Sequence, residues 1–292
     1  MVQSVPILVG KVAGSSPAVG TKALIFNSII MKIVINPEYN YLTDFINSLS
    51  HTEPIPEKVY QNERNYVYKA TVEGTPLVIK KHKRPVLVSR VIYTWFRMNK
   101  AERSYKYAFK LKDLGFETAE PVAYIIKKKY GFLHTCYYVT KFLPYQLLSA
   151  CVSYDQQSLL NIVNDFAEYT YNLHKSGIFH YDYNVGNILF REVGGKYKFT
   201  VIDINRIVFS QKINSKRIKG LKGLGFPLPL FGIFIERYTQ LAGFDTEIFF
   251  GALLLKRGIN LTKRVKNRFK AFIAWIKNAF EKNRDVQCFV NR

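Results

Sequence analysis

Cysteine is scarce in this chain, with three residues, Cys136, Cys151 and Cys288, among 292. An odd number at irregular spacing builds no disulfide framework and no metal-ligand pattern, which fits a reducing, cytosolic compartment. Long hydrophobic runs are missing as well. A spanning helix needs about 18 apolar residues in succession. The stretch from Ala23 to Ile35 is broken by Asn27, Ser28 and Lys32, and the stretch from Leu224 to Ile235 contains two prolines. A membrane role for these segments is therefore peripheral. Acidic side chains are also few: 21 Asp and Glu face 43 Lys and Arg, a net charge of +22. That imbalance calls for an anionic partner, whether a nucleic acid, an anionic membrane surface or a phosphorylated substrate. Apolar residues are plentiful, at 48% hydrophobic and 15% aromatic, so a substantial core can form, which argues against global disorder.

Residues 1–30 are rich in Val, Gly, Ser, Pro and Ala, without the basic start and apolar run of a signal peptide. The stretch from Gly14 to Thr21 resembles the translated end of a transfer-RNA gene, and Met31 stands directly before the strand-like Lys32-Ile33-Val34-Ile35. The expectation is that residues 1–30 form a non-native or disordered extension and that translation begins at Met31.

Beyond this segment, residues 58–83 read as three short strands, with Glu73-Gly74 as a turn. Residues 99–114 read as a helix: Asn99 and Glu102 have capping-box spacing, Tyr105, Ala108, Leu111 and Leu114 recur on one face, and Gly115 stands at the stop. Residues 121–127 and 135–142 read as further strands. The pattern then changes. Residues 153–175 read as a long helix with Ser153 and Gln156 as its capping pair and Gly177 at its end, and the chain from Lys212 onward is mostly helical by pattern. Strands first and helices second fit a two-lobed α+β architecture, with the boundary near Leu143-Pro144.

The most informative stretch is His180-Tyr181-Asp182-Tyr183-Asn184-Val185-Gly186-Asn187, followed by Asp203-Ile204-Asn205. Between them lies a hairpin: residues 188–193 run out, Gly194-Gly195 turns, and residues 197–202 return. An antiparallel hairpin sets its two ends side by side. Asn187, just before the first strand, and Asp203, just after the second, therefore bring an amide oxygen and a carboxylate to one end. Such a donor set suits the hard, oxygen-seeking Mg²⁺, with ATP phosphates completing its octahedron.

The spacing His-x-Asp-x-x-x-x-Asn, then a strand pair and a second Asp, resembles the catalytic loop and metal-binding segment of the protein-kinase-like superfamily. The resemblance implies a bilobal fold with a small β-rich N-lobe over residues 31–143 and a larger helical C-lobe over residues 144–258. It implies that Asp182 accepts the proton of the acceptor hydroxyl and that Asn187 and Asp203 hold Mg²⁺. Lys80, in Val78-Ile79-Lys80, resembles the strand lysine that reaches the ATP phosphates, and Glu102 the helix glutamate that pairs with it. Each position also has a plainer reading. Lys80 fits an ordinary solvated strand lysine, with Lys81 or Lys83 as the phosphate ligand. Glu102 fits a helix cap, His180 a loop brace, and Asp182 and Asp203 turn residues. Five matches in the family's order outweigh those separate coincidences.

The departures narrow the family. No Gly-rich loop covers the phosphates, and the corresponding turn falls at residues 61–65. Tyr181 stands where protein kinases carry an arginine, Phe-Gly does not follow Asp203, and no Ala-Pro-Glu motif comes after it. A protein substrate is therefore disfavoured. Over residues 31–250 the chain is similar to the bacterial lipopolysaccharide kinase family, Bacteroidetes type. The similarity is carried by Leu77-Val78-Ile79-Lys80-Lys81, residues 100–105, residues 177–189 and Ile202-Asp203-Ile204-Asn205-Arg206. It implies phosphorylation of Kdo or heptose in the lipid A-linked core glycolipid, at the cytoplasmic face of the inner membrane. It also leaves Arg206 as a contact to substrate phosphate or to the metal-binding loop.

Charge acquires a meaning under this reading. Residues 212–292 hold 17 Lys and Arg against five Asp and Glu, and Val265, Phe269, Phe272, Ile273, Ile276 and Phe280 share one helical face. A basic amphipathic helix over residues 259–292 suits an anionic membrane surface, and equally a helix packing its apolar face on the core. Three other functions compete. A small-molecule kinase of the aminoglycoside or choline type would carry an acidic pocket for its cationic substrate. A catalytically inactive kinase-fold binding protein would fail to bind Mg-ATP. A nucleic-acid binder would show steep salt dependence, and no recognisable motif supports one.

Overall fold

The computed structural model of the protein describes residues 21–26, 29–49, 51–63, 65–82, 98–211, 217 and 220–256. It divides into two compact units, Met1–Pro144 with Val201–Asn205, and Tyr145–Thr200 with Arg206–Arg292.

The first unit is built on seven antiparallel strands: β1 (Thr21–Phe26), β2 (Ile29–Ile35), β3 (Lys58–Asn62), β4 (Asn65–Val72), β5 (Thr75–His82), β6 (Pro121–Lys129) and β7 (Phe132–Lys141). Their order across the sheet is β1-β2-β6-β7-β5-β4-β3. The expected boundary at Met31 falls inside β2, whose Ile29 and Ile30 pair with both β1 and β6. Residues 1–20 lie outside the described residues. The expected turn at residues 61–65 is tighter than foreseen, because Gln61 and Asn62 belong to β3 and Asn65 to β4.

Strand residues alternate between faces, and both faces of this sheet are covered. Ile33 and Ile35 of β2, Tyr68 of β4, Leu77 and Ile79 of β5, and Val139 of β7 bury against Leu42, Ile46 and Leu49, from a short 3-10 turn and the helix α1 (Thr43–Ser48). Val34, Tyr124, Ile126, Cys136 and Tyr138 bury on the opposite side against Ala101 and Tyr105 of α2 (Lys100–Asp113). That helix begins as its sequence signals. The Asn99 side chain accepts from the Glu102 amide at 3.0 Å, and Gly115 follows the last turn at φ +80°. Leu114, grouped with the apolar face by spacing, is exposed and ends the helix instead.

In the second unit α3 (Gln156–Lys175) packs on α4 (Leu228–Ala242), and α5 (Thr246–Lys256) follows. The cap of α3 is Asp155, accepting from the Ser158 amide at 3.0 Å. Ser153 does not serve, because its hydroxyl donates to the Ala150 carbonyl and closes a preceding 3-10 turn. The helix stops at Gly177, where φ is +74° and an added Cβ would lie 2.7 Å from the Ser210 carbonyl oxygen. Small strands complete the unit: β8 (Gln146–Leu147), β10 (Ile188–Val193) and β11 (Lys196–Val201) form one sheet, and β9 (Ile178–His180) pairs with β12 (Ile207–Phe209). Gly194 and Gly195, at φ +59° and +75°, supply the positive-φ pair that a two-residue hairpin turn requires. The strand β11 ends at Val201, so Ile202 separates it from Asp203. Among the described residues no helix is long and apolar enough to cross a membrane. The expected amphipathic helix over residues 259–292 lies outside them.

Aromatic packing centres on Phe166 of α3. It is fully buried, with the rings of Tyr183, Phe199, Phe226 and Phe234 at centroid distances of 5.1–5.9 Å. Phe166→Ala removes this hub, and we expect a loss of about 3–5 kcal/mol in urea denaturation.

Two histidines are sealed in these cores. Burial pushes the His82 imidazole down to about 3, helped by the charges of Lys80 and Lys100, and burial beside Arg217 does the same to His174. Both stay neutral in the fold, whereas the unfolded chain protonates them below about 6.5. Their contribution is complete above that pH and is lost as pH falls toward 3, with a slope of up to about 1.4 kcal/mol per pH unit for each. Urea midpoints measured from pH 8 to pH 5 should be flat at first and then decline below 6.5.

Candidate active site

The stretch from His180 to Asn187 is a tight loop braced from within the second unit. His180 is buried, and its Nδ1 accepts the Asp182 amide at 3.1 Å. The carbonyl oxygen of Asp182 then accepts two side-chain amides, Nδ2 of Asn184 at 3.0 Å and Nδ2 of Asn187 at 2.8 Å. The Asn184 Oδ1 takes the Gly186 amide at 2.9 Å, which starts the 3-10 turn Val185–Asn187. With Nδ2 of Asn187 committed to the backbone, its Oδ1 is turned away from that contact. Tyr183 anchors the loop from below: its hydroxyl meets Oγ1 of Thr170 on α3 at 2.8 Å, and its ring stacks on Phe166. The Asp182 carboxylate remains 38% exposed and lies 3.2 Å from Nη1 of Arg206.

In the first unit, Lys80 of β5 extends its ammonium to the carboxylate of Asp203 at 2.5 Å, with side chains 16% and 23% exposed. The two residues stand 123 positions apart in sequence. Asp203 adopts φ +54°, a left-handed conformation uncommon outside glycine, and its carboxylate also accepts Nδ2 of Asn205. The segment carrying it is tied down by Thr118, which bridges Val201 in parallel and donates Oγ1 to the Val201 carbonyl at 2.7 Å.

Strand alternation separates the candidate lysines. Lys80 pairs in register with Tyr138 and shares the α2 side of the sheet. Lys81 turns to the other side, bound to Glu53 at 2.5 Å and lying over the Tyr137 ring. Lys83 lies outside the described residues. Glu102, only 14% exposed, binds Lys106 at 3.0 Å and Lys32 at 3.6 Å. The expected Lys80–Glu102 pair is thus not formed in this structure: Asp203 holds the lysine, and Glu102 is neutralised by two other cations. Sequence reasoning missed the work of Asn184, Asn205 and Thr118. The spacing of Asn184, four residues after His180 and three before Asn187, is the signal in the sequence that marks the first.

Asp203 and Asn187 offer hard oxygen donors of the kind Mg²⁺ takes, and Lys80 offers a cation of the kind phosphates take. Among the described residues no cluster of three or more His, Cys, Asp or Glu forms a metal site by itself.

A family model, described as the lipopolysaccharide kinase (Kdo/WaaP) family, matches residues 64–233. No curated protein matches the chain. A solved structure of WaaP in complex with acyl carrier protein superposes with a TM-score of 0.54 at 17% identity, covering 77% of this chain and 98% of that one. The kinase-inhibitor complex of WbdD gives a TM-score of 0.39 at 15% identity, covering 72% of this chain and 47% of that one.

Asn184→Ala deletes two of the bonds that shape the loop. The Gly186 amide should then exchange its hydrogen about 5-fold faster in native-state exchange, equivalent to about 1 kcal/mol, with the amides of α3 unchanged.

Proposed function

The chain belongs to the lipopolysaccharide kinase (Kdo/WaaP) family, and we propose from this premise that it moves the γ-phosphoryl group of ATP to a hydroxyl of Kdo or heptose in the lipid A-linked core. The observation that carries this reading is the Lys80–Asp203 pair. A strand lysine and an aspartate 123 residues away meet at 2.5 Å, which supports a shared role for them at the nucleotide and its metal.

Asp182 is the base. Its carbonyl does the structural work of the loop, and its carboxylate, 38% exposed beside Arg206, accepts the proton of the acceptor hydroxyl. The Asn187 amide oxygen and the Asp203 carboxylate would hold Mg²⁺, which when bound neutralises phosphate charge. Lys80 steadies the α- and β-phosphates, and Glu102 becomes its carboxylate partner in the loaded enzyme, giving up Lys32 and Lys106. Phosphoryl transfer asks mainly for positioning and charge neutralisation, and these groups supply both.

The net charge of +22 supports a peripheral position on the anionic cytoplasmic face of the inner membrane, where the glycolipid acceptor is presented. Each Lys or Arg near such a surface contributes on the order of 1 kcal/mol.

Asp182→Asn tests the assignment with Mg-ATP and Kdo-bearing lipid A as substrates. We expect phosphate transfer to fall at least about 100-fold. The circular dichroism spectrum and melting temperature should stay near wild type, because the loop hangs on the backbone of residue 182. Turnover at the wild-type rate would remove Asp182 from the mechanism.

A further inference from the structure

The loop from His180 to Ile188 contains no lysine or arginine. The cation beside the base comes from elsewhere in the same unit. Arg206 ends the short 3-10 turn Ile204–Arg206 and directly precedes β12. Its carbonyl accepts the Tyr181 amide at 3.2 Å, and the next residue, Ile207, pairs with His180. Backbone pairing therefore fixes Arg206 against the catalytic loop, and its guanidinium reaches Asp182 at 3.2 Å.

Stability does not account for this placement. The two side chains are 51% and 38% exposed, and ion pairs open to water contribute about 0–1 kcal/mol. Recognition accounts for it better. A guanidinium carries five N–H donors in a rigid planar fork, matched to the two oxygens of a carboxylate or phosphate. The described contact uses Nη1, and with the Arg206 side chain 51% exposed, other donors of the fork can meet an acceptor arriving at Asp182.

We propose that Arg206 is the oxyanion-binding residue of this site. One edge of its guanidinium orients Asp182, and the rest binds an anionic group flanking the hydroxyl that Asp182 deprotonates. The proposal rests on the kinase reading above and extends it to the chemistry of the acceptor. An oxyanion at this point has two sources: the acceptor's own acid group, as in the sugar acid Kdo but not in a neutral heptose, or the phosphoryl group in transfer. The open position of the pair favours the acceptor.

Calorimetry on the full chain and its Arg206→Gln and Arg206→Lys variants distinguishes these sources. The probes are Kdo, its uncharged methyl ester, and Mg-ADP with and without beryllium fluoride. We expect Arg206→Gln to weaken Kdo at least about 10-fold while leaving the methyl ester unchanged, with Arg206→Lys recovering part of the loss. A glutamine that instead weakens only the beryllium fluoride complex assigns the oxyanion to the phosphoryl group. The proposal is overturned if Arg206→Gln binds every probe as wild type does, or if wild type binds Kdo no better than its ester and gains nothing from beryllium fluoride. Wild-type protein that binds no Mg-ATP fails the kinase reading itself, a result separate from all of these.

Discussion

Two opposite charges on different stretches of chain, Lys80 and Asp203, set the terms for the first unit. Each is mostly withdrawn from water, and an unpaired charge there would cost several kcal/mol. The pair therefore constrains whatever delivers it. The strand β5 lies inside the sheet, flanked by β4 and β7, with Lys80 on the α2 side. The 201–205 segment must leave the strand that precedes it and join the first unit, which Thr118 secures at Val201. Asp203 must turn through a left-handed backbone, and Asn205 folds back onto its carboxylate. Strain of this kind persists where surrounding contacts over-determine it.

The second unit solves a different problem, that of presenting a carboxylate without using it as scaffold. Four groups grip residue 182 and its neighbours: Nδ1 of His180, the amides of Asn184 and Asn187, and the carbonyl of Arg206. All act on backbone atoms. Beneath them, Tyr183 is buried against α3, near the rings of Phe166 and His174. The loop is thus held by backbone atoms of residues 181 and 182, and the Asp182 carboxylate meets only the Arg206 guanidinium among the described residues.

Much of this was legible in the chain. The three strands over residues 58–82, the capped helix α2 and the Gly194-Gly195 hairpin were readable because each rests on local rules: period, side-chain caps and positive φ at glycine. The misreadings arose where local groups compete. Ser153 and Asp155 are both plausible caps for α3, and the choice fell to Asp155 once the Ser153 hydroxyl was spent on Ala150. Glu102 was legible as the first-turn acid of α2, but its partners belong to β2 and to its own next turn.

By itself the sequence determined the order of Lys80, Glu102, Asp182, Asn187 and Asp203, the strands over residues 58–82 and the helix α2, and that Asp182 and Asn187 share one short loop. These follow from spacing along one chain, which folding cannot change. Only the tertiary structure turned Lys80 and Lys81 to opposite sides of the sheet, gave Asp203 rather than Glu102 to Lys80, and set Arg206 beside Asp182. Those choices depend on strand register and on which distant charges arrive at the same place, and a charge withdrawn from water takes whichever partner the packing brings within reach.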